Sequence, residues 1–156
     1  MIAPVAGCEA ELLALNNEHA EELSLLDAAD LEALLGEAFY ARRVGALDAA
    51  LIAFDQDAAY ASPNFLWFKA RYPRFVYVDR VVVAPSARGR GLARTLYEDL
   101  FATARDAGHE RVVCEVNSVP PNPASDAFHA RLGFDVVGDA SIHGGAKTVR
   151  YLMRSL

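Results

Sequence analysis

The strand predicted at residues 74–84 restricts the fold of this 156-residue chain more than any other segment. It contains the run Phe75-Val-Tyr-Val-Asp-Arg-Val-Val-Val83, which is dominated by β-branched and aromatic residues. Apolar residues occupy odd and even positions alike, so both faces of the strand must be covered. We therefore expect this strand at the centre of a sheet that has a further layer packed on each side.

The remaining elements follow from hydrophobic periodicity and from start and stop residues, among them Ser24 and Asp27 before the second helical run. The pattern predicts two helices within 9–41, a strand at 49–54, a loop at 55–64, a helix at 91–107, a strand at 111–117, a helix at 122–132, and strands at 134–137 and 147–154 joined as a hairpin through 143–145. This order predicts one three-layer α/β domain that spans residues 1–156.

Composition excludes several classes of protein. The chain is 53% hydrophobic with a formal charge of −6, which indicates a globular protein and argues against a general nucleic-acid binder. Cys8 and Cys114 do not form a disulfide framework, and Cys114 lies in an apolar stretch that suits a small buried residue. No apolar run is long enough to span a bilayer. We expect a soluble cytoplasmic protein without nucleic-acid or membrane partners.

A glycine- and arginine-rich turn joins the central strand to the helix predicted at 91–107. Gly89 and Gly91 let the backbone approach an anion closely, and the helix N-terminus adds a partial positive charge. Arg88, Arg90 and Arg94 surround the same turn, so a diphosphate would meet both amides and guanidinium groups. A solvated turn is the alternative, but three arginines within one helical turn favour phosphate binding.

Other phosphate-binding motifs do not fit this turn. A Walker A loop needs Gly-Lys-Ser/Thr, which the sequence lacks. In the dinucleotide fingerprint, the position three after Gly91 would be a small residue, and here it is Arg94. Both readings are therefore rejected.

Two motifs resemble the GNAT superfamily of N-acetyltransferases. Arg88-x-x-Gly91-x-Ala93 is similar to the family's Arg/Gln-x-x-Gly-x-Gly/Ala turn. Asn122-x-x-Ser125-x-x-Phe128-His129-x-x-x-Gly133-Phe134 is similar to its Asn-x-x-Ala-x-x-Leu-Tyr-x-x-x-Gly-Phe helix. The run from Glu115 also resembles a subgroup of bacterial acetyltransferases with no assigned acceptor. The resemblance implies an α/β (α+β in some schemes) domain with a mixed, mostly antiparallel sheet, splayed between its two central strands, and helices on both faces.

The resemblance also implies how acetyl-CoA, the expected cosubstrate, would bind. Its pantetheine arm would enter the splay and pair with the backbone of the first central strand, while its pyrophosphate would rest on the turn. The implied binding residues are Val81, Val82, Val83, Arg88, Gly89, Arg90, Gly91, Leu92, Ala93, Arg94, Asn122, Ser125, Phe128 and His129. Asn122 is also the predicted helix N-cap, and both roles can hold at once. No metal site is expected, because the histidines are scattered.

Acyl transfer to an amine needs a base for the amine proton and a donor for the departing thiolate. Glu115, a carboxylate in an apolar strand and at a base position of some family members, is the first candidate base. Asp79 is the second, expected on the same face as Tyr77 and Val81; the alternative for each is an ordinary ion-paired carboxylate. An amide at Val82 or Val83 would bind the carbonyl oxygen.

His129 departs from the family pattern, which has Tyr at this position. A histidine can donate a proton near neutral pH, so His129 is the candidate general acid, although it could also simply fill space. Aromatic residues before the central strand are candidates for the acceptor pocket or for core packing; these are Trp67, Phe68 and Tyr72, with Tyr60 and Asn64 as weaker candidates.

The sequence thus predicts an N-acyltransferase that moves acetyl, or another short acyl group, from CoA to a primary amine by direct attack in a ternary complex. The acceptor would be a small molecule or a peptide, and the oligomeric state stays open, with a homodimer as one alternative. The rival interpretation is a catalytically weak or inactive acyl-CoA-binding or sensing module, which His129 keeps open. An α/β interaction domain without a cosubstrate would not need two motifs at this spacing.

Overall fold

A computed structural model of the protein describes residues 1–19, 23 and 25–156. The described strands form one sheet in the order β1-β2-β3-β4-β5-β7-β6. Their bounds are β1 Ile2–Pro4, β2 Tyr40–Val44, β3 Ala49–Asp55, β4 Val76–Val83, β5 Arg111–Val119, β6 Asp135–Ile142 and β7 Lys147–Ser155. The pair β4–β5 is parallel, and all the other neighbouring strands in this described sheet are antiparallel.

Helices cover both faces of the sheet. They are α1 Glu9–Glu18, α2 Ala28–Glu37, α3 Pro63–Lys69, α4 Leu92–Asp106 and α5 Pro123–Arg131. The core on one face contains Leu96, Leu100 and Ala104 of α4, and the core on the other contains Leu12, Leu31 and Phe65 of α1, α2 and α3. The predicted three-layer architecture with a buried central strand is therefore confirmed.

The two central strands separate soon after they meet. Among the described residues, β4 and β5 are paired at Val76–Val112 and Tyr77–Val113, and no pair joins them further along. From there β5 continues alongside β7 as far as Val119, while β4 continues alongside β3 as far as Val83. The expected splay between the central strands is thus present, and it opens a gap inside the sheet.

Local sequence explains where the helices near this gap begin. Gly91, with φ of 72°, is the N-cap of α4, a left-handed conformation that glycine adopts without steric cost. The side chain of Asn122 accepts a hydrogen bond from the Ser125 amide, and Pro123 is the first residue of α5, as predicted. Asp27 forms a capping box with Asp30 at α2, whereas Ser24 lies outside the described residues.

Several predicted boundaries are wrong. The helical run was expected to reach residue 41, but α2 ends at Glu37 because Phe39 already donates its backbone hydrogen bond to Ala53 of β3. The predicted loop at 55–64 ends earlier than expected, because Pro63 begins the short helix α3. The short strand β1 and the strand β2 were not predicted. In the part of the chain that is described, no helix has the length and apolarity needed to cross a membrane.

Candidate active site

The separation of β4 and β5 forms a cavity of about 280 Å³, called the gap cavity here. Residues 78–81 of β4 and 114–117 of β5 form its strand walls. Helices α4 and α5 contribute Tyr97, Asn122, Ser125 and His129. The sequence-predicted residues Asp79, Val81, Glu115, Asn122, Ser125 and His129 therefore meet around one cavity.

A second and larger cavity, of about 630 Å³, lies beside the first and is called the side cavity. It is lined by Tyr60 and Asn64 near the start of α3, by Tyr77 of β4, and by residues of the β6–β7 hairpin. Both cavities are lined by Asp79, Arg80, Glu115 and Asn117, so they adjoin where these residues lie, with Glu115 among them. A group bound in one cavity would contact a group bound in the other at this point.

Two side chains hydrogen-bond to the carboxylate of Glu115. The hydroxyl of Tyr77 lies 2.9 and 2.8 Å from its two oxygens, and the amide nitrogen of Asn64 donates to Oε1 at 3.1 Å. Asn64 is itself oriented by Tyr151, whose hydroxyl donates to Asn64 Oδ1 at 2.9 Å. Trp67 stacks on Tyr151 with ring centroids 4.2 Å apart, so the network is anchored in the aromatic core.

This environment brings the titration of Glu115 close to neutral pH. Burial raises the pKa of the Glu115 carboxyl to about 7, and the nearby charge of Asp79 raises it further, while the hydrogen bonds from Tyr77 and Asn64 oppose the shift. A carboxylate with a pKa near 7 can both accept and release a proton at physiological pH. This property is typical of a general base.

Asp79 has a different environment because it is bound on both sides. Its Oδ1 accepts a hydrogen bond of 2.5 Å from Tyr60, and its Oδ2 lies 2.6 Å from Nε of Arg80. Arg80 also donates from Nη1 to Asn16 of α1 at 2.8 Å. The side chains of Asp79 and Arg80 are 4% and 9% exposed, so they form a nearly buried ion pair.

A β-bulge separates Asp79 from the residues that follow it in β4. The register with β3 passes from Ala53–Val78 to Ile52–Arg80, which leaves Asp79 without a direct partner. As a result, Tyr77 packs in the core on the α3 side, whereas Val81 packs in the core on the α4 side. The expectation that Asp79 shares one face with both Tyr77 and Val81 is therefore wrong for Val81.

His129 is 6% exposed and hydrogen-bonded at both ring nitrogens. Nδ1 lies 2.8 Å from the Ser125 carbonyl oxygen, which can only accept, so Nδ1 carries the proton. Nε2 then accepts from the hydroxyl of Tyr97 at 2.9 Å. Burial lowers the pKa of His129 and raises that of Tyr97, which keeps the histidine neutral and the phenol protonated.

The strand backbone beside the gap has groups available for a ligand. Ala84 donates its amide hydrogen bond to Asp48, on the β3 side of β4. Backbone direction alternates along a strand, so Val82 also faces β3, whereas Val81 and Val83 face the gap. Val83 is thus the one of the two candidate carbonyl-binding residues whose amide faces the gap.

The predicted phosphate turn leads directly into α4. Gly89 and Gly91 have φ of 79° and 72°, and a Cβ at either position would meet no atom within 4 Å, so open space lies above the turn. Arg88 bonds to His19, Arg90 lies 3.6 Å from Asp48, and Arg94 lies 2.9 Å from Glu98. The side chains of Arg90 and Arg94 in the last two pairs are more than half exposed to solvent. Such pairs are weak and exchange readily for a phosphate.

The remaining residues predicted to bind the cosubstrate lie beside the turn and the gap. The first turn of α4, beneath the open space, is formed by Leu92, Ala93 and Arg94. Phe128 packs against Tyr97 of the gap cavity, and the centroids of the two rings are 5.6 Å apart. Among the described residues, no group of three or more His, Cys, Asp or Glu side chains is arranged to hold a metal ion.

The candidates for the acceptor pocket divide between the side cavity and the core. Tyr60 and Asn64 line the side cavity, whereas Trp67, Phe68 and Tyr72 pack in the core around it. Tyr97 and Tyr151 were missed as members of the hydrogen-bond networks, and Tyr77 was noted only for its face of the strand. Their signal in the sequence was a tyrosine, a residue with a polar hydroxyl, within an otherwise apolar face.

Comparison with known proteins agrees with this geometry. Residues 58–134 match the family described as Acetyltransferase (GNAT) family. A 72-residue segment is 39% identical to the 5-NmdU N-acetyltransferase of Pseudomonas phage PaMx11, covering 46% of this chain and 47% of that protein. The chain thus spans about half the length of this curated relative.

Solved structures share the fold along the whole chain. The ribosomal-protein-alanine N-acetyltransferase from Brucella melitensis superposes with a TM-score of 0.75 at 20% identity, covering 100% of this chain and 99% of its own. A chain of the NatC complex bound to Gag peptide and CoA gives 0.74 at 13% identity, covering 100% and 98%. The chain is thus similar to the GNAT acetyltransferases in sequence over residues 58–134, and it shares the fold of these solved structures along its whole length.

Proposed function

We propose that this protein is an acetyl-CoA-dependent N-acetyltransferase, which transfers acetyl or another short acyl group to a primary amine by direct attack in a ternary complex. The observation that carries the proposal is the position of Glu115 at the junction of the gap cavity and the side cavity. In this proposal the gap receives the acyl-CoA, the side cavity receives the amine, and the two substrates meet at Glu115.

Residues on three elements would hold the cosubstrate, which when bound supplies an activated acetyl thioester. The open turn at Gly89 and Gly91, with the first amides of α4 and the side chains of Arg88, Arg90 and Arg94, would bind the pyrophosphate. The backbone of Val81 and Val83 would pair with the pantetheine arm, and Asn122, Ser125, Phe128 and His129 would border it.

Glu115 is the proposed general base. An amine must lose a proton to become acylated, and a carboxylate with a pKa of about 7 removes protons effectively near neutral pH. Tyr77 and Asn64 would hold its oxygens toward the side cavity. Asp79 is the weaker candidate because its carboxylate forms an ion pair with Arg80 in addition to the hydrogen bond from Tyr60.

His129 and Tyr97 would serve the thiolate side of the reaction. The proton of neutral His129 is on Nδ1, so a proton donated from Nε2 must first be taken up from solvent. Burial lowers the pKa of His129, so its protonated form is rare at the pH at which Glu115 is ionised. The Tyr97 hydroxyl is protonated and lines the same cavity, and by turning from His129 Nε2 it would donate its hydrogen bond to the developing thiolate.

The acceptor is proposed as a primary amine on a small molecule or a peptide. The phage relative is named for 5-NmdU, and the Brucella structure is named for an alanine of a ribosomal protein. These names support an amine acceptor as a class. The further choice among amines rests on the side cavity of this chain.

A two-stage experiment tests the proposal. Acetyl-CoA should raise the melting temperature and NADH should not, because a ligand that binds only the native state stabilises it. Free thiol should then be released from acetyl-CoA when a panel of primary amines is added. Absence of a thermal shift with every CoA ester tested would contradict the CoA site. A shift without thiol release from any amine would instead favour the non-catalytic binding module.

A further inference from the structure

The side cavity is charged differently at its two ends. At the inner end, where it meets the gap cavity, it is lined by the carboxylates of Asp79 and Glu115. On the β6–β7 hairpin it is lined by Ile142, His143 and Lys147. If the reacting nitrogen lies at Glu115, the rest of the acceptor must extend through the remainder of the cavity, and the hairpin residues are available to contact it.

The charges at the inner end are already balanced. Asp79 and Arg80 neutralise each other at 2.6 Å, and both side chains are nearly buried. Glu115 with its pKa of about 7 can receive the proton of an incoming amine. The inner end therefore suits one amino group and no second charged group.

Among the described residues that line this cavity, Lys147 is the cation without a carboxylate partner. It is half-buried, and within the described ranges it forms no ion pair with a carboxylate. Its cross-strand partner is the apolar Ile142, and the neighbouring pair is Ser141 with Thr148. Lysine is scarce in this chain, since Lys69 and Lys147 are its two lysines against thirteen arginines. A partly buried cation without a carboxylate partner would be stabilised by an anionic group of a bound ligand.

We propose that the acceptor carries, besides its amine, an anionic group that binds Lys147 at the hairpin end of the side cavity. The class is thus an amino carboxylate or an amino phosphate, including a phosphate-bearing amine that is part of a larger molecule. Exposed His143 lines the same end and adds a second donor. This inference rests on the proposed function, because it assumes that the amine reacts at Glu115.

The test compares amines of matched length at saturating acetyl-CoA. The four probes are 3-amino-1-propanol with a neutral tail, 4-aminobutanoate with a carboxylate, 3-aminopropyl phosphate with a phosphate, and 1,4-diaminobutane with a second cation. We expect kcat/KM to be at least about tenfold higher for one of the two anionic probes than for the neutral one, and lowest for the diamine. The two anionic probes distinguish carboxylate from phosphate recognition.

Lys147→Gln should lower kcat/KM for the preferred anionic probe by about tenfold, and change that for the neutral probe by less than about twofold. Lys69→Gln is the matched control, because Lys69 is an exposed lysine of α3 that does not line the cavity; it should change neither value. Calorimetry with CoA-bound protein provides a readout besides turnover: Lys147→Gln should weaken binding of the anionic probe by about tenfold.

Two results would overturn the inference while leaving the proposed function intact. One is a preference for the neutral or dicationic probe, and the other is an equal loss for neutral and anionic probes in Lys147→Gln. Absence of turnover with all four probes and with the wider amine panel would instead contradict the proposed function, and this inference would fall with it.

Discussion

The hydroxyl of Tyr77 lies within 2.9 Å of both carboxylate oxygens of Glu115, across the point where the two central strands begin to separate. Tyr77 belongs to the last paired position between β4 and β5, and Glu115 lies two residues beyond its partner Val113. The splay that admits a cosubstrate and the hydrogen bond that fixes the base therefore come from the same irregularity of the sheet.

The first prediction concerns pH. Glu115 must be ionised to accept a proton, so kcat/KM should rise with pH through an apparent pKa of about 7. Tyr77→Phe removes a hydrogen bond that favours the carboxylate, so the rising limb should move to higher pH by about one unit. Tyr72→Phe is the control, because Tyr72 packs in the core near α3 without lining either cavity. An unmoved limb in Tyr77→Phe would contradict the assignment.

The second prediction concerns stability. The folded pKa of Glu115 is about 7 against 4.5 for the free side chain, so the folded state binds the proton more tightly. Stability should therefore fall as the pH rises from about 4.5 through 7, because the unfolded chain releases this proton first. Glu115→Gln should then be more stable than the wild type by roughly 2 kcal/mol at pH 8, with little of this gain at pH 4.5. Urea denaturation at both pH values measures the difference, and an equal gain at both would argue against a shifted pKa.

The third prediction tests the aromatic support of the site. A Cβ at Gly138 would clash with Cζ2 of Trp67, which stacks on Tyr151, so Gly138→Ala should cost about 1–3 kcal/mol of stability. Tyr151 orients Asn64, so the same change should also reduce activity. Gly36→Ala is the matched control within α2. No atom lies within 4 Å of its Cβ, and the change should stabilise the protein by roughly 0.5–1 kcal/mol. Thermal melts of both variants decide the point; equal effects would mean that Trp67 moves aside freely.

The fourth prediction concerns the phosphate turn. Gly91→Ala places a side chain at φ of 72° and a methyl group beside the exposed amides of α4. We expect a stability loss of about 1 kcal/mol and an acetyl-CoA Kd raised by about tenfold or more. Gly7→Ala introduces comparable left-handed strain at φ of 90° outside the turn, so it should lose similar stability but retain the Kd. Equal Kd values for the two variants would remove the turn from the binding site.

Much of the fold could be predicted from the sequence, because the elements that determine it have strong local hydrophobic and capping patterns. The apolar run of β4 required layers on both faces, and Asn122 followed by Pro123 marked the start of α5. The strands β1 and β2 were not predicted from the sequence, because β1 has only three residues and β2 contains the charged Arg42 and Arg43. β1 pairs with β2, which lies far from it along the chain, and local periodicity cannot report such a contact.

The site was predictable in membership but not in geometry. Asp79, Glu115, Asn122 and His129 were expected and line the gap cavity. The bulge at Asp79 was hidden, because a strand that is apolar on both faces looks the same before and after a one-residue shift. The tautomer of His129 was equally hidden, since it is set by the Ser125 carbonyl and by Tyr97, more than thirty residues away in sequence.

The most direct test of the central claim is the rate of amine acetylation in Glu115→Gln, measured at pH 8 with saturating acetyl-CoA. If Glu115 is the base at the junction of the two cavities, kcat/KM for the amine should fall about 100-fold or more, while the acetyl-CoA Kd stays within about twofold. Glu110→Gln, which alters a glutamate that is 84% exposed, should change neither value. An unchanged rate of acetylation in Glu115→Gln would contradict the account.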